Sequence, residues 1–124
     1  MSRQQCIVRH VLIIEDEALI ALDLQDLFEA NGATSVDIAE TQSEAIELAR
    51  ARRPDLICSD VTLRQGTGPM AVEAIRAERG DIPVIFITAT PEACLPCPPT
   101  ARILGKPVRH ALVASIFRDL TRGS

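Results

Sequence analysis

Apolar positions fall along the chain in short continuous runs separated by longer segments with helical spacing. The runs predict strands at Val11–Glu15, Val36–Ala39, Leu56–Asp60, Val84–Thr88 and a short Ile103–Lys106. Most do not alternate with polar residues, as expected of strands covered by helices on both faces. Between them, Ala18–Ala30 carries Ile20, Leu24, Leu27 and Phe28 on one helical face, with Asn31-Gly32 as its stop. Thr41-Gln42-Ser43-Glu44 has the form of a capping box and opens a helix to about Arg52, before Pro54. Pro69 suits a first helical turn leading through Met70–Arg79 to Gly80. A last helix, Val108–Leu120, places Leu112, Ile116 and Leu120 four apart, with Val113 and Phe117 alongside. This alternation predicts a three-layer α/β sandwich. One unit breaks the rhythm: Pro91, Pro96, Pro98 and Pro99 leave no room for a regular helix, so Ala89–Ala101 is read as mostly loop.

Polar groups stand where the buried strands would end. Glu15-Asp16 follows the first run, Asp60 ends the third and Thr88 the fourth. The chain's single lysine, Lys106, follows the short last run, in Gly105-Lys106-Pro107. In an open parallel sheet the carboxyl ends of the strands lie side by side and form the functional crevice. Three carboxylates, a hydroxyl and an ammonium are therefore expected to converge on one small site.

Composition narrows the function. The 124 residues suit one domain, and 47 % apolar content with only three Phe and no Trp or Tyr makes the core aliphatic. A net charge of −4 argues against nucleic acid as a partner, because such binders show a basic patch. The densest basic run, Arg50-Ala51-Arg52-Arg53, falls at a helix end, where cations complement the dipole. No apolar stretch approaches the roughly 20 residues of a membrane span, and Met1 to Ile7 lacks the core of a signal peptide, so a cytoplasmic location with no membrane partner is expected.

The acidic pair, central Asp60, Thr88 and Lys106-Pro107, in that order, resemble the receiver domain of two-component response regulators. The segment from Val84 to Glu92 and the proline-rich stretch after it look most like receivers of the alphaproteobacterial general stress response. The resemblance implies a doubly wound (βα)5, flavodoxin-like fold with parallel strand order 2-1-3-4-5 and a fourth helix reduced or irregular. It implies a receiver over residues 7–121 with no output domain. The expected function is that of a single-domain response regulator rather than an enzyme. It would take a phosphoryl group from a sensor histidine kinase of the HWE or HisKA2 class, or from a histidine phosphotransferase. It would signal by protein contact or relay, with a downstream regulator as a further partner.

An Asp carboxylate can attack phosphorus and become an acyl phosphate, and Asp60 is the expected acceptor. Crowded carboxylates would repel an incoming phosphoryl group, an obstacle that Mg²⁺ removes. Asp16, Asp60, Glu15 and the Thr62 backbone carbonyl are the expected metal ligands. Lys106 would neutralise one phosphoryl oxygen and Thr88 donate a hydrogen bond to another, so that catalysis rests on positioning and electrostatics. The family often holds the peptide bond after its lysine cis, and the same is expected at Lys106-Pro107.

The chain also departs from the family pattern. Arg64 stands where proline is usual, and Ile103 where an aromatic switch residue is common. Gly66 and Gly68 still allow an unusual turn and close backbone approach. Thr62 and Thr90 occupy the variable positions that, by resemblance, tune phosphoryl lifetime. Cys94-Leu95-Pro96-Cys97 has a redox-like spacing but sits in a proline-rich loop, and free thiols are the favoured reading. Two alternatives stand beside the signalling reading: a small Asp-based phosphatase, and a receiver fragment of a larger regulator. The phosphatase is disfavoured because Asp60 lies on the third strand, Thr62 rather than an acid follows it, and no cap domain encloses a substrate.

Overall fold

A computed structural model of the chain describes residues 9–89 and 98–121. Within them, β1 (His10–Ile14), β2 (Ser35–Ala39), β3 (Leu56–Asp60), β4 (Val84–Thr88) and β5 (Arg102–Gly105) form one parallel sheet in the order β2-β1-β3-β4-β5. Four helices accompany it: α1 (Ala18–Ala30), α2 (Gln42–Ala51), α3 (Gly68–Arg79) and α4 (His110–Thr121). This is the doubly wound order expected. Among the described residues no helix lies between β4 and β5. Residues 90–97, on which the reading of an irregular loop and the Cys94–Cys97 spacing fall, lie outside them.

The three central strands are apolar along most of their length because both their faces are covered. Leu12, Ile14, Ile57, Val84 and Phe86 meet α2 and α3 on one face, with Ala45, Ala49, Val72 and Ile75 from those helices. Val11, Ile13, Cys58, Ile85 and Ile87 meet α1 and α4 on the other, where Phe28 and Phe117 pack edge to face, 5.1 Å between ring centroids. Such a two-sided core is what continuous apolar runs require.

Strand and helix limits shift where polar residues take part. β1 begins one residue early, at His10, whose buried side chain finds partners on β2. β5 begins at Arg102 and ends before Lys106, since an exposed edge strand tolerates a charged residue that breaks the apolar pattern. α3 begins at Gly68, because the Thr67 hydroxyl caps it by accepting from the Met70 amide at 3.2 Å. The stripe read on the last helix is corrected in one position. Val113, Ile116 and Phe117 face the core, whereas Leu112 is 39 % exposed, since seating Phe117 on Phe28 turns Leu112 to the rim.

Candidate functional site

The site is built at the carboxyl ends of β1, β3, β4 and β5. Glu15 and Asp16 follow β1 directly, and the Glu15 amide still bonds the Ala39 carbonyl of β2 at 2.9 Å, prolonging the strand by one step. Asp60 is the last residue of β3 and pairs in register with Ile87; Thr88 ends β4 and pairs with Gly105. The Lys106 amide donates to the Thr88 carbonyl at 2.8 Å, which places the lysine just beyond the sheet. The Lys106-Pro107 peptide bond is cis, as expected.

These placements bring four of the six expected residues into one cluster. Glu15, Asp16 and Asp60 each offer a carboxylate oxygen, and the three oxygens lie within 4.8 Å of one another. Lys106 Nζ donates to Asp60 Oδ2 at 3.1 Å and lies 3.8 Å from Glu15 Oε1. Asp60 Oδ1 accepts from the Val61 amide at 2.8 Å, so both oxygens of the central carboxylate are held. Thr88 is buried at the end of the neighbouring strand. Thr62 lies two residues past Asp60, in an antiparallel bridge with Thr67. The bond of that bridge runs from the Gly68 amide to the Val61 carbonyl at 2.9 Å, and the Thr62 carbonyl is not its acceptor.

The β3–α3 turn sets the height of this floor. Gly66 has φ +82°, a conformation that side chains rarely adopt. At Gly68 a Cβ would overlap the Asp60 carbonyl and the Ser59 hydroxyl. α3 can therefore start against the end of β3 only because residue 68 has no side chain.

Electrostatically the cluster is short of positive charge. Burial pushes the Glu15 carboxyl up to about 7; the Glu17 amide and Lys106 oppose this, while Asp60 and Asp16 reinforce it. For Lys106, burial works against the charged form, but the bond to Asp60 and the nearby Glu15 and Glu17 carboxylates outweigh it and raise its pKa. Burial likewise raises the Cys58 thiol under the site, so it is held protonated.

Two participants were not singled out in the sequence. Glu17 Oε1 lies 3.9 Å from Lys106 Nζ. Arg64, visible in the sequence only as a departure from pattern, donates its backbone N–H to Asp16 Oδ2 at 2.8 Å. No periodicity marks either residue, because both contacts depend on how two loops meet.

The family model of the response regulator receiver domain matches residues 11–95. The chain belongs to this family. The phyllosphere-induced regulator PhyR of Methylorubrum extorquens is 38 % identical over 110 residues, which are 86 % of this chain and 41 % of PhyR. The chain thus spans about two fifths of the length of that relative. The solution structure of the Erythrobacter litoralis PhyR receiver domain superposes with a TM-score of 0.83 at 35 % identity, covering 91 % of this chain and 89 % of that one. These PhyR matches bear out the branch of the family that the sequence resembles. The receiver domain of a sensor histidine kinase from Pseudomonas aeruginosa, described with a magnesium ion coordinated in its active-site cleft, superposes with a TM-score of 0.81 at 26 % identity, covering 95 % and 100 % of the two chains. Receivers of this family are signalling modules. Among the described residues of this one, no helix is long and apolar enough to cross a membrane.

Proposed function

We propose that this receiver is a phosphorylatable switch whose acceptor is Asp60 and whose cofactor is Mg²⁺. The observation that carries the reading is the convergence of the Glu15, Asp16 and Asp60 oxygens within 4.8 Å, with the Lys106 ammonium on Asp60. An all-oxygen, formally trianionic set fits a hard divalent cation, and the raised Glu15 carboxyl reflects a buried site with too little positive charge. Asp16 and Asp60 would hold the ion, with Glu15 directly or through water and the Thr62 carbonyl as a further ligand. When bound, Mg²⁺ supplies positive charge that offsets the carboxylates and the phosphoryl oxygens.

The side chains do the rest by position. An Asp60 oxygen attacks the phosphorus of a phosphohistidine on the partner. The new P–O bond forms as the P–N bond breaks, and the electron pair leaves on the imidazole nitrogen. Lys106, already at Asp60 Oδ2, neutralises a phosphoryl oxygen, and the Thr88 hydroxyl at the adjacent strand end donates to another. The partner is a sensor histidine kinase of the HWE or HisKA2 class or a histidine phosphotransferase. The phosphorylated receiver passes the signal to a downstream regulator in stress signalling, by contact or relay, in the cytoplasm. A second reading, the receiver portion of a longer regulator, is favoured by the 41 % of PhyR that the match covers; the chemistry at Asp60 is the same under both.

The test is mass spectrometry after acetyl phosphate and Mg²⁺. One base-labile phosphoryl group is expected on the wild type and none on Asp60→Asn, which keeps the shape but removes the nucleophile. Equal labelling of the variant would overturn the assignment.

A further inference from the structure

Arg64 is 74 % exposed, yet it engages Asp16, whose side chain is only 12 % exposed, in three ways. Its backbone N–H donates to Asp16 Oδ2 at 2.8 Å, its Nη2 reaches the Asp16 carbonyl at 3.4 Å, and its Nε lies 3.9 Å from Oδ2. Asp16 also belongs to the acidic trio, while Lys106 approaches that trio from the Asp60 and Glu15 side. The cluster therefore has a second intrinsic cation, at the opposite carboxylate, on a loop that ends in the Gly66 turn.

The two parts of Arg64 act in opposite senses. The amide is uncharged and fixed by the backbone, so it orients Asp16 without opposing a cation. The guanidinium is a full positive charge beside the same carboxylate, and it repels a divalent ion that shares it. Being exposed, that repulsion is modest and yields to salt.

We propose that Arg64 is a positioning residue for metal loading. Its N–H anchors Asp16 while its guanidinium competes with the divalent cation, so that this one residue tunes both the affinity and the ionic-strength dependence of the site. The inference rests on the reading of Glu15, Asp16 and Asp60 as a Mg²⁺ site. A lysine in place of Arg64 keeps the charge, alanine keeps only the amide, and proline removes the N–H as well.

The experiment is calorimetric titration of Mg²⁺ and Mn²⁺ into the full chain and its Arg64→Ala, Arg64→Lys and Arg64→Pro variants, with melting curves confirming that each is folded. Titrations are run at about 0.01 M salt, where the screening length is roughly 30 Å, and at about 1 M, where it is roughly 3 Å. At low salt Arg64→Ala should bind about three-fold more tightly than wild type, with Arg64→Lys close to wild type. At high salt the ratio should fall towards one. Arg64→Pro should bind more weakly than Arg64→Ala. An Arg64→Ala affinity equal to or below that of wild type at low salt, or a gain that ignores salt, overturns the competition. Equal affinities of the proline and alanine variants overturn the anchoring role. If the folded wild type takes up neither ion, the failure lies in the Mg²⁺ reading itself, and the inference falls with it.

Discussion

Both ends of the sheet bury polar groups, but among the described residues only the carboxyl end brings three carboxylates together. At the amino end, His10 is 2 % exposed and fully engaged. Its ring hydrogen-bonds Ser35 Oγ at 2.7 Å and Asp37 Oδ2 at 3.0 Å, and its backbone N–H donates to Asp55 Oδ2 at 2.7 Å. The Asp55 amide returns a bond to the His10 carbonyl at 2.7 Å. At the carboxyl end, four carboxylates, Glu15, Asp16, Glu17 and Asp60, face two cations, Lys106 and Arg64. The first cluster ties β1 to β2 and to the chain before β3. The second stores repulsion that an added cation can relieve. Burial of polar groups alone does not single out a candidate site; carboxylates converging within a few ångström of one another do.

That contrast can be broken by experiment, beginning with the largest effect. The Glu15 carboxyl is raised from 4.5 to about 7 in the folded protein, chiefly by burial. Between those values the folded state binds more protons than the unfolded one, so stability falls as pH rises through that window and stays low above it. Glu15→Gln should flatten this slope and stabilise the metal-free protein above pH 7 by about 3 kcal/mol at most, read from urea melts across pH. A variant that keeps the slope would assign it elsewhere.

At the other end the sign is reversed. His10→Ala should cost about 2 kcal/mol, because buried partners lose their bonds, while the labelling by acetyl phosphate proposed at Asp60 should match that of wild type. Loss of labelling in the folded variant would show that the two ends are coupled. The smallest effect is expected at Thr34, whose exposed hydroxyl accepts from the Arg9 amide at 2.9 Å and donates to the Arg9 carbonyl at 3.1 Å. Thr34→Val should lower stability by only about 0.5 kcal/mol in the same melts.

The sequence shows these two ends unequally. Glu15, Asp16, Asp60, Thr88 and Lys106 stand out because each punctuates an apolar run, and a parallel sheet brings such punctuation together. The His10 cluster is silent in the sequence: Ser35 and Asp37 lie 25 and 27 residues from His10, and only the β1–β2 register makes them its neighbours. Glu17 is silent, and Arg64 shows only as a departure from pattern, for a related reason: loop-to-loop contacts carry no period. The outward turn of Leu112 was hidden because four-residue spacing fits two adjacent stripes of one helix, and only the seat of Phe117 against Phe28 selects between them.

The division of the core between two sheet faces also bears on how the chain reaches this state. The helices of the α2–α3 face are near neighbours in sequence, on either side of β3. The α1–α4 face joins helices from opposite ends of the described chain, as the His110–Asp23 contact between residues 87 apart shows. Closing that longer loop carries the greater entropy penalty, so the α2–β3–α3 unit is expected to condense first and the α1–α4 face to seal late. Stopped-flow kinetics would register the order: Ile75→Val should slow folding, whereas Phe117→Ala should chiefly hasten unfolding. The candidate site straddles both units, with Asp60 in the early one and Lys106 arriving with the late one. Its cluster of charges is therefore completed only as the last stretch of chain comes home.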